Sequence, residues 1–155
     1  MKRWLLVITH LGALALGFAL GVYFLPILIA PPAPSEQALA RLASESSFEG
    51  QFRRDLAGSD ALHWGEGKVS VGRKAISLVG KLAPGPDYKL YLSPRFVETE
   101  ADFIRHKAEM VRVGDVRTFE NFAVDVPAGV DIEKFDTVIV WCEAFGEFIS
   151  AAKYR

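Results

Sequence analysis

The sequence predicts an all-β fold: an antiparallel β-sandwich or barrel of about seven or eight short strands, preceded by one N-terminal transmembrane helix. Three observations carry that prediction. Trp4 to Ala30 holds no formally charged side chain. Beyond Phe48 the chain breaks into short β-branched and aromatic runs, separated by Gly, Pro and Asp turn signals. Finally, Asp136-Thr137-Val138-Ile139-Val140-Trp141-Cys142 is apolar on both alternating faces, as a central strand covered on both sides must be. The length of 155 residues suits one domain plus an appendage. A formal net charge of -1 provides no basic footprint, which argues against nucleic acid as a partner. The mean hydropathy of +0.18 is high for a soluble domain, and its source is the N-terminal stretch.

The uncharged run Trp4 to Ala30, within an anchor taken as residues 1–30, spans roughly 40 Å as a helix, enough to cross a bilayer with tilt. The apolar run is longer than a signal-peptide core, and Ala30 is followed by Pro31 and Pro32, a poor site for cleavage. An uncleaved signal-anchor is therefore expected, with a cleaved signal as the competing reading. Lys2 and Arg3 precede the span, and the next basic residue is Arg41. The positive-inside rule puts the N-terminus in the cytoplasm and the rest in the periplasm or outside the cell, on a single-pass inner-membrane protein. Ala13, Gly17 and Gly21 recur every fourth residue, a spacing that lets two helices approach and would suit a homodimer. His10 is shallow enough to reach the interface, and its expected role is structural.

Residues 31–47 form a linker. Pro31-Pro32-Ala33-Pro34 is a stiff extended spacer, and Ser35 caps a short juxtamembrane helix running to about Ser44, read as a stalk. Residues 48–155 form the β domain. Phe48 to Leu56 is its first strand. His63-Trp64-Gly65-Glu66-Gly67 reads as a turn, and Lys68–Val71 with Ala75–Val79 as a hairpin about Gly72-Arg73. Ala83-Pro84-Gly85-Pro86-Asp87 turns the chain into Tyr88–Ser93, with Tyr88, Leu90 and Leu92 on one face. Pro94 to His106 is an irregular insertion with a helical turn near Glu100 to Arg105. Strands follow at Met110–Val113, Phe119–Val126, the cysteine strand and Glu147–Lys153.

Three stretches together resemble the DM13 family: His63-Trp64-Gly65-Glu66-Gly67, Gly85-Pro86-Asp87-Tyr88-Lys89-Leu90-Tyr91-Leu92-Ser93, and Phe135-Asp136-Thr137-Val138-Ile139-Val140-Trp141-Cys142-Glu143. The strand ending at Val124-Asp125-Val126-Pro127 and the connection at Val130-Asp131 fit the same pattern. The resemblance covers Phe48 to Arg155. It implies an all-β module with a characteristic cysteine, here Cys142, acting in electron transfer beside redox modules on other chains. A redox partner protein is the partner it implies. Glu147 departs from it, an acid where the family tends to be apolar.

Cys142 is the single cysteine, so no internal disulfide can form. It is either a small hydrophobe in a core or a candidate redox thiol. A lone thiol needs a second thiol, a haem or a metal to cycle electrons, and the adjacent Glu143 would disfavour its thiolate. Haem and copper are the cofactors to consider, although no Cys-x-x-Cys-His motif is present and neither is implied by a specific motif. A copper or zinc site would need Cys142, His63 and His106 to converge from separate segments, and no spacing brings them together, so no metal ligand is assigned. His63, Trp141 and Tyr88 are the candidate cofactor-binding residues, with structural roles as the alternative for each. No paired carboxylates, serine–histidine pair or phosphate loop appears, which leaves little room for a stand-alone enzyme. Two functions remain: a membrane-tethered redox accessory module centred on Cys142, or a non-catalytic binding or scaffold module in which Cys142 only packs.

Overall fold

A computed structural model describes residues 2–155. Helix α1 (Lys2–Ile29) takes up the apolar stretch, with Pro26 in its last turn and no buried residue. It is the one helix among the described residues long and apolar enough to cross a membrane. Helix α2 (Glu36–Ser44) starts where expected, with the Ser35 hydroxyl accepting from the Ala38 amide at 3.3 Å. It is not a free stalk. Leu39, 2% exposed, anchors α2 against the hairpin that follows.

Eight strands form two four-stranded antiparallel sheets. The first sheet, in the order β1-β2-β3-β6, contains β1 (Phe48–Phe52), β2 (Gly65–Val71), β3 (Ala75–Leu82) and β6 (Glu120–Asp125). The second, β5-β4-β7-β8, contains β4 (Tyr88–Ser93), β5 (Val111–Val116), β7 (Thr137–Cys142) and β8 (Glu147–Lys153). The architecture is a sandwich, but the chain is not purely β: about a third of it is helical. The sheet edges come close at β1 and β8. A Cβ added at Gly50 would lie 2.9 Å from the Lys153 carbonyl oxygen.

Strand β7 is central in its sheet, between β4 and β8, and all six of its residues are buried. Its two faces reach different cores, because side chains alternate along a strand. Val138, Val140 and Cys142 point between the sheets, where they meet Val69, Leu78, Leu90 and Phe122. Ile139 and Trp141 point outward, where they meet Phe103, Tyr91 and Phe148. The insertion after β4 supplies the cover on that outer face. Its helix α3 (Glu100–His106) is capped by Thr99 and drives Phe103, fully buried, onto the sheet. The expected irregular insertion is thus a lid that makes β7 a two-sided strand. Phe135, two residues before β7, packs partly against the inter-sheet core.

One motif folds differently from expectation. Gly65-Glu66-Gly67 is the start of β2, paired with Leu82, Lys81 and Gly80 of β3, rather than a turn. The glycines serve close approach: a Cβ at Gly67 would sit 2.3 Å from the Val79 carbonyl oxygen, and one at Gly80 would sit 2.1 Å from that of Glu66. The backbone of Gly67 also takes a φ of 126°, a region that favours glycine.

Candidate functional site

Cys142 ends β7, opposite Tyr88 of β4 and Glu147 of β8. Its side chain is 3% exposed, and Sγ–H donates to the Pro86 carbonyl at 3.0 Å. Burial, first, pushes the thiol up from its ordinary value. The Asp87 and Glu147 carboxylates push the same way, while the backbone amides of Phe145 and Ala144 pull against them. The result is a protonated, hydrogen-bonded thiol at neutral pH, not a poised thiolate. Glu143, expected to oppose the thiolate, is occupied elsewhere. Tyr91 donates its hydroxyl to Glu143, and Lys107 Nζ lies 2.9 Å from both carboxylate oxygens.

A cavity of about 550 Å³ opens beside Cys142. Its walls are Tyr88, Cys142, Glu147 and Ile149 from the second sheet, Phe145 from the turn between β7 and β8, Leu62 and His63 from the loop before β2, and Phe18, Val22 and Tyr23 from α1. Pro84 and Pro86 form part of the rim. Two of the sequence-selected residues, His63 and Tyr88, therefore share one cavity with Cys142. The Tyr88 hydroxyl is spent on the Ala83 carbonyl at 2.9 Å, and burial raises its pKa above the ordinary tyrosine value. His63 is positioned by Asp60. Asp60 Oδ1 accepts the Leu62 and His63 amides at 2.7 Å each, and Oδ2 takes His63 Nδ1 at 3.0 Å. That hydrogen bond with His63, ahead of the amides, holds the Asp60 carboxyl below its usual range. Trp64, next in sequence, lies under the Arg54 guanidinium at 3.3 Å, and Arg54 pairs with Glu66 at 2.7 Å.

Trp141 lies elsewhere. It stacks on Phe103, with ring centroids 3.9 Å apart and planes inclined by 10°, and Lys107 Nζ sits 5.8 Å from its ring. Its face is filled by a protein ring, so it does not line the cavity with Cys142. His106 pairs with Glu109 at 3.1 Å at the end of α3. Among the described residues no three His, Cys, Asp or Glu side chains gather as a metal site requires, so Cys142, His63 and His106 do not converge. Of the small residues expected to face a second helix, Gly21 lines a groove against Ala144 and Phe145 of its own chain.

Asp60, Leu62 and Phe145 were not legible as site residues. Asp60 had a local signal, an acid three positions before a histidine, the spacing of a turn that caps its own amides. Leu62 and Phe145 had none, because only the fold brings them together.

Comparison with curated proteins and with solved structures returned no match. The family model described as Electron transfer DM13 matches residues 51–154, a span that holds every strand from β2 to β8 and all the sandwich residues of the cavity. The chain belongs to the DM13 family.

Proposed function

We propose that this chain is a membrane-tethered, exported electron-transfer module whose working end is the Cys142 cavity. Residues 1–30 act as an uncleaved anchor, 31–47 as a linker and 48–155 as the exported domain. Lys2 and Arg3 keep the N-terminus cytoplasmic and leave the domain in the periplasm or outside the cell. The observation that carries the reading is the meeting of Cys142, His63 and Tyr88 around one cavity beside the apolar helix. The family description, electron transfer, supports it. A lone thiol has no second sulfur with which to close a disulfide, so the electron carrier belongs to a redox partner or a bound group. Cys142, His63 and Tyr88 then shape the contact.

A second reading is favoured by one observation: Cys142 is almost fully buried, with its proton engaged by Pro86. On that reading the sandwich is a non-catalytic scaffold and the cysteine is packing. A thiol titration separates the two. The full chain in detergent would be treated with a maleimide reagent before and after denaturation, and a visible spectrum recorded on the same sample. Native labelling, or a haem or copper band that Cys142→Ser abolishes, supports the redox reading. Labelling only after denaturation, from a colourless sample, hands the assignment to the scaffold.

A further inference from the structure

Aromatic residues in α1 set where the bilayer surface passes. Trp4 and Tyr23 are separated by roughly 29 Å at 1.5 Å per residue, close to the hydrocarbon thickness of about 30 Å, and such rings settle at headgroup level. Tyr23 thus marks one interface, and Phe24 to Ala30 stand beyond the hydrocarbon. Tyr23 also lines the Cys142 cavity, with Val22 beside it and Phe18 deeper along the helix. On the sandwich side the same cavity carries Leu62, 60% exposed, and Phe145, 55% exposed. Two large apolar side chains left in the open at the level of an interface are suited to hydrocarbon rather than water.

The second observation is the Asp60–His63 pair. Asp60 takes the Nδ1 hydrogen, so in the neutral imidazole Nε2 is the hydrogen-bond acceptor. On the sandwich side of the wall, Tyr88 O–H is spent on Ala83 and Cys142 S–H on Pro86. A largely apolar cavity whose wall carries an oriented acceptor, with the Glu147 carboxylate as a second one, suits an apolar ring that bears a hydroxyl.

We infer that the Cys142 cavity binds a lipid-soluble quinol that enters sideways from the bilayer. Its ring lies among Phe145, Leu62 and α1, and its hydroxyl donates to His63 Nε2. The inference rests on the membrane-anchored electron-transfer reading above and names the ligand class of that site. A phospholipid acyl chain would satisfy the walls but leave Nε2 without a donor.

The test uses the full chain, labelled with ¹⁵N-histidine, in phosphatidylcholine nanodiscs kept anaerobic and titrated with decylubiquinol. His10 and His106 serve as internal controls for His63. The expected result is a saturable shift of the His63 imidazole signals alone, with half-saturation moved at least tenfold upward in Phe145→Asp and in Leu62→Asp. Both side chains are exposed, and circular dichroism of each variant checks that the fold is kept. Three results overturn the inference: no His63 shift, a shift that never saturates, or an equal shift produced by decanol, which would make this an acyl-chain site. A wild-type response in both folded aspartate variants would also overturn it. The thiol titration and visible spectrum need no quinol, so a redox function without quinol binding, or quinol binding without redox behaviour, would each be seen separately.

Discussion

The chemistry of Cys142 is set by what surrounds one sulfur atom. Burial and the carboxylates of Asp87 and Glu147 outweigh the amides of Phe145 and Ala144, so the folded thiol titrates above its unfolded value. Native maleimide labelling is therefore expected to be slow at pH 7 and still rising above pH ~9, where an ordinary thiol levels off. A rate that plateaus below pH ~8 would contradict the raised thiol. The same shift makes folding stability fall as pH rises past the unfolded thiol value, since only the unfolded chain can then ionise freely. Replacing the sulfur with oxygen keeps a donor for Pro86 but places a more polar group in the site, so Cys142→Ser should cost about 1–2 kcal/mol in urea unfolding. Asp115 has the opposite sign. Lys89 at 3.0 Å, then Arg112 and Arg117, hold its carboxyl down to about 2. Its contribution is present above the unfolded carboxyl value near 4 and is lost as pH falls from there towards about 2. Because the side chain is about one-third exposed, solvent screening reduces it to about 1 kcal/mol. Asp115→Asn should remove that amount at pH 7 and flatten the acid limb of stability against pH, as urea midpoints at pH 7, 4 and 2.5 would show.

The hairpin β2–β3 decides where His63 and Trp64 sit, and two facing glycines decide the hairpin. Gly67 and Gly80 pair directly, each too close to the opposing backbone for a Cβ, and the Asn121 side chain accepts the Gly80 amide at 2.9 Å. Gly80→Ala should therefore destabilise by about 2–3 kcal/mol, by forcing the strands apart beside a register shift already present after Leu78. A thermal midpoint unchanged from wild type would show that the hairpin can relax. The same glycines explain what a linear reading of the sequence can and cannot recover. Strand β7 was legible because Val138, Ile139, Val140 and Trp141 leave no polar face, and β8 because Phe148 to Ala152 is bounded by Glu147 and Lys153. Gly65-Glu66-Gly67 was not, since a glycine that permits a turn and one that permits close backbone contact look identical in sequence. Alternation alone places Trp141 opposite Cys142, but its true partner, Phe103, comes from an insertion with no strand signal. The Cys142 cavity was half legible: its sulfur, His63 and Tyr88 are conspicuous residue types, whereas Leu62 and Phe145 acquire meaning only from their neighbours.

At the scale of the whole molecule, the long helix and the sandwich are joined by more than the Pro31–Pro34 spacer. Residues Phe18, Val22 and Tyr23 complete a wall of the cavity, so the thiol is screened on that side by the helix rather than by the sandwich. The consequence can be tested by placing a protease site between Pro34 and Ser35 of the full chain in nanodiscs. Helix α2 begins at Glu36 with its Ser35 cap and packs through Leu39, so a cut before Ser35 leaves the sandwich and its α2 cover whole. Before cleavage Cys142 should label slowly. After cleavage the released part, no longer tethered, has only exposed side chains such as Leu62 and Phe145 to hold it to the bilayer. Burying one such side chain contributes at most about 1.5–3 kcal/mol, too little for stable attachment without the anchor. The released part should therefore appear in the soluble fraction with Cys142 labelling several-fold faster, because one wall of the cavity is gone while the Pro86 contact and the β7 pairing remain. An unchanged labelling rate in a soluble, folded product would mean that the sandwich alone shields the sulfur and that α1 contributes only tethering. Retention on the bilayer after complete cleavage would mean that the Leu62–Phe145 rim binds lipid more strongly than two side chains can explain.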